Sequence, residues 1–389
     1  MSYSRHKHQG SLTTAHHIML AVWIGVVVFV AMATGFAGHA GKINTMNTPF
    51  AGIATMTFIG WWLLNLVILV ANTIFCRKLT LVSAVAIIVT IKPFLVFCPL
   101  NLWNRPTITD NDTQRTFSVL SYNVAHMQDS VGMVTLGYNR TASTILSSDA
   151  DVVCLMEYTQ TTINPISHEM LPEQYDSLLS RYPYHETYAA DIAVFSRTPI
   201  TALEHPQAAE WPRSGVMGIY SVEVCGRPLT LIPVHLCSIG LSDDDKDLYR
   251  DLVDSPAEMR GKVSDMRHKL IEKLYTAFQQ RYAQTTIISN YLAQTSENAI
   301  VCGDFNDVPN CYAIRTLEAA GMTDAYSQVG IGAKITFNAP LFFFRIDHVL
   351  YRGNMTPVNM QRGNLASSDH YPWLTTFVWT EEPQRGTND

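Results

Sequence analysis

Acidic, amide and imidazole side chains recur at one kind of place in this chain, directly at the end of short apolar runs. Asn123 ends the run 117–123, Glu157 follows 152–156, and His235 ends 229–235. Gly303-Asp304-Phe305-Asn306 follows the run 299–302, and Arg345-Ile346-Asp347-His348 and Ser368-Asp369-His370 come later. A charged residue after one buried strand is often only a solvated strand end. Several in one domain can converge, because rigid scaffolds present functional groups from the loops at strand ends. Converging carboxylate and amide oxygens suit a hard divalent cation, which takes one or two carboxylates and keeps several waters. Such a cation neutralises phosphate charge, and an imidazole titrating near neutral pH can move the proton of an attacking water. Together these residue types could hydrolyse a phosphoester.

Within the Gly303–Asn306 segment, Gly303 lets the backbone turn tightly after a strand. Asp304 can orient water or stabilise a transition state, and Asn306 can donate to a phosphate oxygen. Each segment alone is a weak signal. Their order and spacing, from Ser121-Tyr122-Asn123-Val124 through Met156-Glu157 and Gly303-Asp304-Phe305-Asn306 to Ser368-Asp369-His370, resemble the endonuclease/exonuclease/phosphatase superfamily, whose fold is that of DNase I. The resemblance covers 117–378.

That resemblance implies an α/β (α+β) fold, a four-layer sandwich of two packed mixed β-sheets flanked by helices. It implies Mg²⁺, with Mn²⁺ as an alternative, held by Glu157 with Asn123 and Asp369. Asn123 would bind metal or phosphate. His370 would be the general base, oriented by Asp347, with Asp304 as the rival base. His235 would contact the phosphate and act as general acid, and Asn306 would bind substrate beside it. His348 reads as structural or supporting. One position departs from the pattern: where many relatives carry Asn before Ser196-Arg197-Thr198-Pro199-Ile200, this chain has Asp191. An acceptor there alters substrate choice or binds a second metal, unless it is an uninvolved loop acid.

Composition divides the chain. The first 103 residues contain six Lys or Arg (Arg5, Lys7, Lys42, Arg77, Lys78, Lys92) and no acid. The remainder holds 21 basic residues against all 33 acidic ones, a net charge of −12. Nucleic-acid affinity comes largely from Lys and Arg on phosphates, so this balance disfavours a processive nuclease. Apolar runs at about 17–36, 50–75 and 79–100 are long enough to cross a hydrocarbon core of about 30 Å, and the first is too long for a signal peptide. The expected organisation is a membrane region over 1–103, a linker over 104–116 and a catalytic domain over 117–380. Lys and Arg are concentrated in the tail and in the second loop, which therefore face the cytoplasm and send the domain outside after three crossings, or inward if the third run does not cross. Lys92-Pro93 within the third run predicts a kink or an end there. The histidines of the tail read as a solvated flank. The seven Cys have no metal-site spacing and mostly sit where small buried hydrophobes belong, so no disulfide is expected.

Beyond the linker, strands are expected over 117–123, 152–156, 192–195, 218–224, 229–235, 299–302 and 346–351. Helices are expected over 138–147, over 258–291 with a break near Thr285, and over 310–320. The acidic run 242–247 reads as a solvated loop, and the apolar run 341–344 as core. The whole reads as a membrane-tethered, divalent-metal-dependent phosphoesterase. Its expected substrate is a lipid head group or small phosphodiester, with the lipid bilayer as partner. An extracytoplasmic nuclease of the same chemistry and a non-catalytic membrane protein binding a phosphorylated ligand are the alternatives.

Overall fold

The computed structural model describes every residue except 1, 104–105, 107–114, 160–169, 204–213, 241–262, 296, 339–343, 366 and 381–389. Most of the expected linker, the acidic run 242–247 and residues 341–343 of the apolar run lie outside the described residues.

The apolar N-terminal runs fold as helices. α1 spans Ser2–His39 and α2 spans Phe50–Phe75, and their stretches Thr14–Lys42 and Phe50–Phe75 reach mean hydropathies of 2.4 and 2.0, long and apolar enough to cross a bilayer. The third run is two helices, α3 (Thr80–Val89) and α4 (Ile91–Phe97), bent by 55° at Thr90. The cause is Pro93, which lacks an N–H and whose ring opposes the carbonyl four residues earlier, that of Val89. Polar side chains face the bundle interior, where no water can satisfy them: Trp23 Nε1 donates to Asn72 Oδ1 at 2.9 Å, and Asn65 Nδ2 to the Ser83 carbonyl at 3.1 Å.

Among the described residues thirteen strands follow: β1 (Thr116–Asn123), β2 (Val152–Met156), β3 (Tyr184–Tyr188), β4 (Ile192–Ser196), β5 (Ile200–Ala202), β6 (Val216–Met217) and β7 (Tyr220–Val224). The rest are β8 (Arg227–His235), β9 (Ala299–Asp304), β10 (Thr323–Asp324), β11 (Asp347–Arg352), β12 (Met355–Arg362) and β13 (Trp373–Trp379). They form a six-stranded sheet, ordered β12-β13-β1-β2-β4-β3, and a second sheet ordered β10-β11-β9-β8-β7-β5, with β6 paired to β8. Both are mixed: β1–β2 and β8–β9 are parallel, and their neighbours antiparallel.

The helices of the domain are α5 (Ser130–Thr135), α6 (Arg140–Ser148), α7 (Pro172–Arg181), α8 (Val263–Leu292), α9 (Tyr312–Ala319) and α10 (Ala325–Val329). Three apolar layers hold the sandwich. Val119, Val152, Val194, Leu231, Ile300 and Phe377 fill the space between the sheets. Leu120, Val153 and Leu155 turn the other way, onto Ile145 of α6 and Leu178 of α7, as period-two alternation requires. On the opposite face Ile232, Val234 and Val301 pack on Ile288 of α8 and Leu317 of α9, with Phe344 against the edge of that layer. The result is the four-layer sandwich expected from the sequence. Contrary to expectation, α8 runs through Thr285 unbroken, because the buried Thr285 hydroxyl donates back to the Arg281 carbonyl at 2.9 Å. Strands β3, β5, β6, β10, β12 and β13 extend the expected set.

The apolar N-terminal helices dock on the domain. Asn310 Nδ2 donates to the Gly38 carbonyl at 3.0 Å, and a Cβ on Gly41 would lie 1.7 Å from the Asn310 carbonyl oxygen, so only glycine allows that approach. Thr45 and Met46, in the loop between α1 and α2, bond to Phe278 and Gln279 of α8. At the end of α4, Arg345 donates to the Val96 carbonyl at 3.0 Å, and beyond it Leu100 bridges to Ile331.

Candidate active site

β1, β2, β8 and β9 end at the same edge of the sandwich, where β4, β11 and β13 begin. The parallel registers put Asn123 beside Met156 and His235 beside Asp304, and the antiparallel register puts Asp347 opposite Asp304. Adjacent strand ends in two packed sheets thus collect side chains that lie far apart in the chain. Gly303 makes this closeness between β8 and β9 feasible: its φ is +142°, and a Cβ there would lie 1.9 Å from the Val234 carbonyl oxygen.

Asn123 is buried at the centre. Its Nδ2 donates to Glu157 Oε1 at 3.0 Å and to Asp304 Oδ2 at 3.2 Å. Glu157 leaves β2 with φ +53°, a left-handed backbone that costs a non-glycine residue on the order of 1 kcal/mol or more. It is held there by its own N–H, which donates to Asp191 Oδ1 at 2.8 Å. Asp304 is fixed from its other side by the Asn306 N–H, which donates to its Oδ1 at 2.8 Å, and Asn306 Nδ2 reaches the Leu236 carbonyl at 3.0 Å.

Two histidine–carboxylate pairs flank this centre. His370 Nδ1 lies 2.9 Å from Asp347 Oδ2, and its Nε2 lies 3.6 Å from Asp304 Oδ2. The Thr336 hydroxyl accepts from the Ile346 and Asp347 N–H groups at 2.9 and 3.0 Å, fixing Asp347 at the start of β11. Ser368 ties the His370 segment to β1: its hydroxyl donates to the Asn123 carbonyl at 2.6 Å and accepts from the His370 N–H at 3.0 Å. Burial alone would lower the proton affinity of His370, but the charges of Asp347 and Asp304 outweigh it and push the group up to about 10. His235 Nδ1 lies 2.9 Å from Asp191 Oδ2, and its Nε2 lies 3.8 Å from Glu157 Oε1. Burial opposes here too, and the Asp191 bond with the charges of Asp304 and Glu157 raises His235 to about 9. Asp304 moves upward, first by burial and then by the facing Asp347, with the two histidines pulling the other way.

Asn123, Glu157, His235, Asp304, Asn306, Asp347 and His370 are therefore gathered around one point. Asp369 stands next to His370 with its side chain exposed. His348 is fully buried away from the centre, with Nε2 3.0 Å from the Asp307 carbonyl and Nδ1 3.4 Å from Arg345, the supporting position expected for it. Asp191 is a member of the site through His235 and the Glu157 backbone. Three contributors escaped the sequence reading. His126 lies 3.7 Å from Glu157 Oε2, and its place just after the Asn123 strand end was the available signal. Thr336 and Arg281 had none. Arg281, buried in α8, donates to the Asn306 carbonyl and lies 3.3 Å from Asp307 Oδ2.

The donor set fits a hard cation. Glu157 and Asp304 are carboxylates converging on one amide, and charges so close and so buried need a compensating cation or proton. Asp304, Asp347 and His370 also offer ligand atoms within 4.8 Å of one another. In that group His370 and Asp347 are already paired to each other, so the carboxylate oxygens of Glu157 and Asp304, on either side of the Asn123 amide, are the better match for Mg²⁺ or Mn²⁺.

Solved structures similar to this chain include an endonuclease/exonuclease/phosphatase from Beutenbergia cavernae, 17% identical, with a TM-score of 0.45 over 69% of this chain and 73% of that one. A humanized D. rerio TDP2 is 17% identical, with a TM-score of 0.44 over 68% and 99% of the two chains. An endonuclease/exonuclease/phosphatase from Bacteroides vulgatus is 14% identical, with a TM-score of 0.44 over 68% and 99%. Comparison with curated proteins finds no match. The sequence profile of the Endonuclease/Exonuclease/phosphatase family matches residues 120–370, from the first strand through His370, and the chain belongs to that family of metal-dependent phosphoester hydrolases.

Proposed function

We propose that the chain is a membrane-tethered phosphoesterase that uses Mg²⁺ or Mn²⁺ and works on the outer side of the cytoplasmic membrane. The observation that carries this reading is the convergence of Asn123, Glu157 and Asp304 between two histidine–carboxylate pairs at one edge of the sandwich. Residues 117–380 are the proposed catalytic domain and 1–103 its anchor.

Glu157, with Asn123, Asp304 and the neighbouring Asp369, would hold the cation. When bound, it supplies charge neutralisation at the phosphate oxygens. His370, oriented through Nδ1 by Asp347, takes a proton from the attacking water at Nε2. The water oxygen adds to phosphorus in line as the bond to the leaving oxygen breaks. His235, held by Asp191, contacts the phosphate and gives a proton to that leaving oxygen, and Asn306 helps seat the substrate. Asp304, whose Oδ2 lies 3.6 Å from His370 Nε2, is the rival acceptor of the water's proton.

Orientation is supported by the fold as well as by charge. The loop between α1 and α2, which carries Lys42 and no other Lys or Arg, bonds directly to α8. That contact supports a domain on the side of that loop, opposite Arg77 and Lys78, an arrangement that requires the bent third segment to cross. Such charge asymmetry marks the domain side as extracytoplasmic. The proposed substrate is a lipid head group or small phosphodiester, and the net −12 of the soluble part weighs against a nuclease.

The test is hydrolysis by the full chain in detergent, with Mg²⁺ against EDTA, of a soluble phosphodiester, a phosphomonoester, plasmid DNA and a phospholipid. His370→Ala should lower turnover by about 10²-fold or more at an unchanged melting temperature. Glu157→Ala should raise the required Mg²⁺ by about tenfold or more. Wild-type rates in both variants would overturn the assignment, and preference for DNA would favour the nuclease.

A further inference from the structure

Accepting the hydrolase reading above, we propose that the catalytic edge faces the bilayer and that the substrate is a phospholipid in it, reached beneath a short apolar lip formed by α5. The membrane contacts of the domain fall on segments that leave the catalytic strand ends. Asn310, bonded to Gly38, follows the loop that carries Asp304 and Asn306. Arg345, bonded to Val96, sits two positions before Asp347. Ile331, bridged to Leu100, leads into Thr336, which holds Asp347. These contacts use the C-terminal ends of α1 and α4, and Phe278 of α8 packs on Gly52 near the N-terminal end of α2, three helix ends on the same side of the bundle. The edge bearing the site is thus the edge nearest the membrane surface.

A second observation concerns what that edge exposes. Among the described residues beyond 115, six large apolar side chains are exposed: Val131 (58%), Val134 (75%), Leu136 (52%), Tyr138 (40%), Tyr184 (42%) and Leu365 (36%). All but Tyr184 lie at the catalytic edge. Four belong to α5 and the turn after it, directly beyond the β1 end that carries Asn123. Leu365 lies in the loop leading to His370, which is joined to the start of α6 by the Thr141–Ser367 hydroxyl contact. The only acid in this lip, Asp129, is buried against Arg140, so its exposed tip carries no negative charge. An uncharged apolar tip on a domain anchored beside a bilayer matches the interfacial mode of membrane contact. The bilayer presents its phosphoesters at that depth. Hydrolysis would add the oxygen of water to phosphorus, break one phosphorus–oxygen ester bond and leave the proton on the released alcohol.

The experiment uses the full chain in vesicles of phosphatidylethanolamine, phosphatidylglycerol and cardiolipin with Mg²⁺, following the lipids by phosphorus NMR and a soluble phosphodiester in parallel. The triple variant Val131→Ser, Val134→Ser, Leu136→Ser should lose about tenfold or more of lipid hydrolysis while cleaving the soluble ester at the wild-type rate. Val134→Trp in the same vesicles should be quenched by lipids brominated on their acyl chains beyond the quenching of the native tryptophans. Cleavage of the soluble ester with all three lipids left intact, or no added quenching of the introduced tryptophan, would overturn the proposal. If wild type and His370→Ala cleave neither substrate, the hydrolase reading fails instead, and quenching still decides whether the lip enters the bilayer.

Discussion

At the residue scale, the site separates histidines by their surroundings. His370 and His235 face carboxylates and are pushed up, whereas His348 is buried against the Arg345 guanidinium and is pushed down from 6.5 to about 4, by burial first and by that charge second. The sign of the stability effect follows. Below about 6.5 the unfolded imidazole binds a proton that the folded one refuses, so this contribution is complete above that pH and drains away as pH falls toward 4. Its full size is on the order of 3 kcal/mol. His348→Gln should therefore flatten the fall in melting temperature across that window in detergent, and an unchanged slope would show that His348 is protonated in the fold without cost. The same scale shows what a sequence yields most readily. Glu157, Asp304 and His370 stood out because charged groups abut buried apolar runs. The role of Asp191 did not, because its partner His235 lies 44 positions away and only strand pairing brings them together.

At the scale of elements, the loop from β9 to α9 links chemistry to architecture. It carries Asp304 and Asn306, and then Asp307, which pairs with Arg281 at full burial. Asp307 is shifted upward by burial and pulled back by that guanidinium. Arg281→Met would leave a buried carboxylate without its cation, a change expected to cost roughly 3–5 kcal/mol. Adding Asp307→Asn should recover most of that loss. Thermal melts of the single and double variants check this, and equal melting points for wild type and Arg281→Met would refute it. Several strands escaped the sequence reading for different reasons. β13 alternates buried and half-buried residues through Trp373–Trp379, a period-two signal that was present but passed over. β12 contains Pro357 and a register shift between Pro357 and Asn359, which blur its pattern, and β6 and β10 are too short to register.

For the whole molecule, docking constrains the proposed topology. Gly38, Gly41, Thr45 and Met46 touch the domain, so the first loop and the domain lie at the same end of the apolar helices, and the proposed anchoring puts both on one side of the membrane. Reporter fusions after Met46 and after Trp379 should report the outer side, and a fusion after Lys78 the inner side; a split between the first two would refute the arrangement. Docking also means that a soluble fragment beginning at residue 105 would bare Phe278, which packs on Gly52, and free Asn310 and Arg345 from their carbonyl partners. Such a fragment should melt below the full chain.

Sequence by itself determined the reaction class and the two-sheet class of fold, through motifs whose order and spacing resemble one family, and the apolar helices and the kink beside Pro93, through local signals of hydropathy and a missing N–H. Only the tertiary structure decided which strand ends meet, that Asp191 serves His235, that Arg281 and Thr336 support the site from afar, and that segments leaving the catalytic edge touch the apolar N-terminal helices. Those outcomes depend on pairing register and on packing between segments far apart in the chain, which no local pattern of residues encodes.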